Sequence, residues 1–128
     1  MKLSRISFLF LLFFLLVPSV SYAQSSASKS WNAFWTKFSA AVKSKNKVAV
    51  KRLMSSENEF FSGGGGETRS EWLQIIDERK AWRDLQKSVA GGTVAYNEGG
   101  RTGRITKDRV LIFQYFGGKW QFVGVMGD

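Results

Sequence analysis

The 128-residue chain contains no cysteine, no histidine and a single proline. Lack of cysteine excludes disulfides and thiolate chemistry, so stability has to come from packing alone. Lack of histidine as well excludes Ser-His-Asp triads, Cys-His pairs and the usual Cys/His zinc sites. No metal and no cofactor is therefore expected. A phosphate-binding loop is missing too: Gly63-Gly64-Gly65-Gly66 is followed by Glu67-Thr68 rather than by Gly-Lys-Ser/Thr, and reads as a flexible loop. Acidic residues are scarce, 10 against 19 Lys and Arg, for a net charge of +9.

The opening of the chain reads as an export signal. Lys2 and Arg5 form a basic start, Ile6 to Val17 is an apolar run broken only by Ser7, and Pro18 ends it. Ser19-Val20-Ser21-Tyr22-Ala23 then places small residues at the −3 and −1 positions of a cleavage site before Gln24. The apolar run is short of the roughly 20 residues of a spanning helix, so residues 1–23 read as a cleaved signal peptide that leaves no stable membrane span. The expected location is periplasmic or secreted. No cysteine stands just after the cleavage site to carry a lipid anchor. Cleavage leaves 128 − 23, or 105, residues, enough for one domain (24–128); 17 basic residues remain against 10 acidic, a balance of +7.

Trp31, Phe34, Trp35, Phe38, Ala41 and Val42 recur at helical spacing and predict a helix over about Ser30 to Ser44, capped by Ser28 or Ser30, after a fraying leader of residues 24–30. Asn46 caps a second, short helix with Ala49, Val50, Leu53 and Met54 as its apolar stripe. Glu59-Phe60-Phe61 reads as a brief strand. Thr68-Arg69-Ser70-Glu71 is a capping box that opens a third helix carrying Trp72, Ile75, Ile76, Trp82, Leu85 and Val89. This helix either continues to Ser88 or breaks at Asp77-Glu78-Arg79-Lys80, with a strand starting at Leu85. From Thr93 the period becomes extended, with strands at Thr93–Tyr96, Gly103–Thr106, Arg109–Phe116 and Lys119–Met126 and turns at Asn97–Gly100, Lys107-Asp108 and Gly117-Gly118. The expected class is α+β, with N-terminal helices packed on a curved antiparallel sheet.

The segments Phe34-Trp35-Thr36-Lys37-Phe38-Ser39-Ala40-Ala41-Val42 and Gly118-Lys119-Trp120-Gln121-Phe122-Val123-Gly124-Val125-Met126-Gly127-Asp128 resemble small exported bacterial proteins of unknown function. The order helix, helix, short strand, helix, terminal strands is similar to the NTF2-like cone shared with SnoaL-like and ketosteroid-isomerase-like proteins. That resemblance implies a curved sheet wrapped on a long helix, often with a pocket at the open end. It carries no catalytic residue to this chain, because one fold hosts many functions.

The residues admit three readings of function. The first is a noncatalytic domain whose cone pocket takes a small apolar or anionic molecule; Trp72, Tyr96, Arg104 and Tyr115 are its candidate ligand-binding residues, through aromatic surface, hydroxyls and a guanidinium. The second is a histidine-free SnoaL-like isomerase or cyclase, using a buried Asp or Glu with Tyr96 or Tyr115. Adjacent acid pairs such as Glu57 with Glu59 and Asp77 with Glu78 fit solvated ion pairs better than catalysis. The third is docking of acidic envelope polymers by Lys43, Lys45, Lys47, Lys51 and Arg52, and by Arg101, Arg104, Lys107 and Arg109. Export argues against nucleic acid as the partner, and nothing in the sequence sets an oligomeric state.

Overall fold

The computed structural model describes residues 18–127. Residues 1–17 of the expected signal peptide lie outside this range. The elements are α1 (Pro18–Lys43), α2 (Lys47–Arg52), β1 (Phe61–Ser62), α3 (Arg69–Glu78), α4 (Trp82–Ala90), β2 (Thr93–Glu98), β3 (Arg101–Thr106), β4 (Leu111–Phe116) and β5 (Lys119–Val125). The class is α+β, as the sequence predicts.

Helix α1 starts at Pro18, not near Ser30. Its apolar stripe extends one turn further back than the aromatic residues show: Ala27 lies four residues before Trp31 and is buried, and the Trp120 indole N–H donates to the Ala27 carbonyl at 2.8 Å. Ser30 therefore sits inside the helix and returns its hydroxyl to the Ser26 carbonyl at 2.8 Å instead of capping. The helix ends where Lys45 turns left-handed (φ 56°), with the Asn46 N–H reaching the Ala41 carbonyl and the Lys45 N–H that of Val42. Asn46 then caps α2 by accepting from the Ala49 N–H at 3.1 Å.

The third helical stretch is two helices. Lys80 is left-handed (φ 53°), the Ala81 N–H closes on the Ile76 carbonyl and the Lys80 N–H on that of Asp77, so α3 stops as α1 does. The next element is helix α4, not the alternative strand from Leu85, because Trp82, Leu85 and Ser88 share one buried face at helical spacing. Of the expected capping box, Thr68 accepts from the Glu71 N–H at 3.4 Å, while the next free amide, Ser70 N–H, goes to Glu57 at 3.0 Å. Glu57 also accepts from the Ser70 hydroxyl at 2.8 Å and Arg69 Nε at 3.2 Å. The cap is completed by a residue from a distant loop.

The sheet is open and mixed, in the order β1-β5-β4-β3-β2. An all-antiparallel sheet is expected, but β1 runs parallel to β5, pairing Phe61 with Gly124. The remaining neighbours are antiparallel hairpins. Gly99-Gly100 and Gly117-Gly118 close two of them with both φ angles positive, as a type I′ turn requires. Arg109 takes φ 63°, so β4 begins at Leu111 rather than Arg109. This corner is tied by fully buried Thr106, whose hydroxyl donates to Asp108 at 2.6 Å and accepts from the Leu111 N–H at 2.9 Å. Around the glycine run, the Gly63 N–H donates to the Val125 carbonyl at 2.7 Å, and a Cβ there would lie 2.7 Å from the Gly127 nitrogen.

Candidate functional site

Pairing and alternation sort the sheet residues onto two faces. Ala95, Arg104, Phe113 and Phe122 are neighbours across β2 to β5 and share the inner face, against α1. On the outer face, Tyr96, Gly103, Gln114 and Gln121 form the adjoining row. The interior is filled: Phe38, Phe113 and Phe122 are fully buried with ring centroids 5.0–5.4 Å apart, and Phe60 and Trp72 close on Phe122 at 5.3 and 5.4 Å. Binding space therefore lies at the margins.

One margin is a cleft of about 420 Å³ whose lining includes Trp72, Leu85, Ser88, Asp108 and Leu111. Of its two carboxylates, Asp84 and Asp108, the second is already engaged. Partial desolvation raises the pKa of Asp108, an exposed residue, but hydrogen bonds from Ser88, Thr106 and the Val110 N–H outweigh that and hold it below the ordinary value, leaving an ionised structural group. A groove of about 520 Å³ between α2 and α3 is lined by Lys47 and Asp77, which pair at 3.5 Å. The Asp77 pKa is lowered, first by the Trp82 indole N–H at 3.2 Å and then by the Lys47 charge.

A further pocket, of about 280 Å³, lies at the β2–β3 end of the sheet. It is lined by Ser28, Trp31, Asn32, Ala95, Thr102, Gly103, Arg104 and Trp120, with no acidic side chain among them. Arg104 is half-buried; its Nε–H donates to Thr93 Oγ1 at 3.0 Å and its guanidinium carbon lies 5.0 Å from the centre of the Trp31 ring. Among the described residues no carboxylate pairs with Arg104; the ion pairs are Lys47–Asp77 and Arg69–Glu57. Trp31 is fixed in turn by Trp35 and Trp120, at 5.3 and 4.7 Å. A cation is thus oriented in a polar niche with its hydrogen-bonding edge available to an anion.

Of the four candidate ligand-binding residues, Arg104 lies in this pocket and Tyr115 stands behind it, its ring 5.6 Å from that of Trp120. Tyr96 is on the opposite face. Its ring covers Gly103, where a Cβ would clash with it, and its hydroxyl accepts from Gln114 Nε2 at 3.3 Å. Trp72 belongs to the core beside Phe60 and Phe122 and borders the cleft at α3 and α4. Sequence reasoning missed Trp31, Asn32, Ser28 and Thr102. Trp31 reads as a core position from its spacing, and that is half of its role: one side meets Phe34 and Phe113, another meets Arg104.

Comparison with known proteins yields no match to a family model, a curated protein or a solved structure. The geometry alone bears on function. Among the described residues no Asp or Glu is buried, no cluster of three or more metal-ligating side chains occurs, and no helix is long and apolar enough to cross a membrane. Lys43, Lys45, Lys47 and Lys51 are exposed at the α1–α2 corner. The second basic group is spread along β3, with Arg101 at one end, Arg104 inside, and Lys107 and Arg109 at the other end.

Proposed function

We propose that this chain is an exported, noncatalytic NTF2-like domain that binds a small anionic ligand at Arg104. The observation that carries the reading is the half-buried guanidinium, stacked on Trp31 in a pocket without a carboxylate. A cation in that position has lost part of its hydration, so a carboxylate offered to its free edge gains a charge-assisted, two-pronged hydrogen bond. The volume, about 280 Å³, sits at the small end of ligand pockets and fits a compact planar anion rather than a large cofactor. Support for a cone comes from the element order and from α1 lying along one face of the sheet, with Phe38 against Phe113 and Phe122. The enzymatic alternative requires a buried carboxylate beside a tyrosine, and the Arg104 pocket has no acid lining it.

Export and binding are tested separately. The protein recovered outside the cytoplasm should begin at Gln24, which keeps Ala27 and its bond to Trp120; an intact Met1 terminus would remove export from the reading. Titration with benzoate and with uncharged benzamide, followed by the NMR signals of Arg104 Nε–H and the Trp31 indole, should show saturable shifts with benzoate alone. Equal responses to both, or unchanged benzoate affinity in Arg104→Gln, would refute an anion site.

A further inference from the structure

We propose that the pocket and the neighbouring sheet edge form one peptide-binding surface: an extended acidic segment of another protein adds to the sheet alongside β2 and seats a carboxylate side chain on Arg104. The inference rests on reading Arg104 as an anion site and names what carries the anion.

Strand β2 is the last in the sheet and is paired with β3 along its whole length. The Gly92 carbonyl accepts from the Lys107 N–H at 3.0 Å, and Glu98 pairs with Arg101 across the two-glycine turn. In an antiparallel ladder these fix the alternation. Val94, Tyr96 and Glu98 direct their backbone groups to β3, and Thr93, Ala95 and Asn97 direct theirs away from the sheet. The usual protections of an edge are missing: residues 93–98 include no proline and no lysine, and the register to β3 has no bulge. Three donors and three acceptors are ready for an added strand.

The same three residues share the inner face with Arg104, and Ala95 is its direct cross-strand partner. A strand added at the usual spacing of about 4.8 Å brings the residue opposite Ala95 to about 10 Å from the Arg104 backbone, a gap that an arginine and a glutamate side chain close between them. Charge points the same way. Lys107 stands at the start of the edge, where a Cβ on Gly92 would lie 3.8 Å from its Nζ, and no acid lines the pocket. A second copy pairing antiparallel through its own β2 would offer Thr93, Ala95 and Asn97 on this face, with Glu98 on the other, and so would bring no carboxylate to Arg104. The favoured partner is therefore an acidic segment of a different chain.

Calorimetry with a blocked seven-residue threonine-rich peptide bearing a central glutamate tests this on the mature protein. The glutamate peptide should bind about 10- to 100-fold more tightly than its glutamine analogue, the range of a charge-assisted hydrogen bond, and more tightly than benzoate. Backbone N-methylation of the peptide should abolish that advantage. Asn97→Pro, which removes one outward N–H from a residue outside the pocket lining, should weaken it while retaining benzoate binding, a sign that fold and pocket are intact. A glutamate peptide no tighter than benzoate, or one unaffected by N-methylation, overturns the inference and leaves the anion site standing. Failure of both benzoate and peptide to bind overturns the two together.

Discussion

Strands β4 and β2 belong to one sheet and have six residues each, yet Leu111, Ile112 and Phe113 are buried in β4 while β2 has no buried residue. The β4–β5 side is covered by α1 and filled by rings from Phe38, Phe60 and Trp72. Toward β2 the inner row thins from Phe122 and Phe113 to Arg104 and Ala95. Without cysteine, stability is concentrated in the filled side. The thin side is left with small side chains, open backbone groups and one oriented cation, which on the reading proposed above serve binding rather than folding.

The largest expected effect tests that division. Phe113→Ala should cost about 3–5 kcal/mol in urea unfolding, because a fully buried ring leaves a cavity among neighbours that cannot collapse. Tyr96→Ala, on the outer face, should cost less than about 1.5 kcal/mol. Similar losses at the two positions would break the comparison.

Next comes the corner that joins the sides. Thr106→Val preserves shape but removes the acceptor for the Leu111 N–H and the donor to Asp108, so a loss of about 1–3 kcal/mol is expected. An unchanged midpoint would mean that the turn is held by Ser88 and Asp108 alone.

Smaller gains should come from the helix ends. Lys45 and Lys80 hold left-handed conformations that favour glycine, so Lys45→Gly and Lys80→Gly should each stabilise by roughly 0.5–1 kcal/mol. Alanine at either site should give no gain, which separates backbone strain from lost charge in a thermal melt.

The smallest effect is a pH dependence set at the cap of α3. The Ser70 N–H and hydroxyl, with Thr68 and Arg69, lower the Glu57 pKa from 4.5 to about 2. A depressed carboxyl contributes fully above its unfolded value, and that contribution is lost as pH falls from about 4.5 toward 2. Melts across this window should flatten in Glu57→Gln. An identical slope in the variant would show that other carboxylates carry the acid sensitivity.

Many elements were legible locally. The aromatic stripe of α1, the Asn46 cap, the Thr68 cap and the two Gly-Gly turns each depend on residues within a few positions, where spacing and side-chain chemistry suffice. The candidate site was legible only in part. Arg104 stands out by its chemistry, but Tyr96 and Arg104, eight positions apart on adjoining strands, face opposite sides because Tyr96 pairs with Gly103. A slip of one residue would have reversed that.

By itself the sequence determined that there are no disulfides, no imidazole chemistry and an α+β succession of elements, since composition and short-range periodicity are properties of the chain. Only the tertiary structure decided that β1 joins β5 in parallel, that Glu57 completes the α3 cap, that Ala27 belongs to the core, and that Arg104 meets Trp31. Each of those joins residues distant in the chain, and which of them meet is set by register and packing that no local pattern encodes.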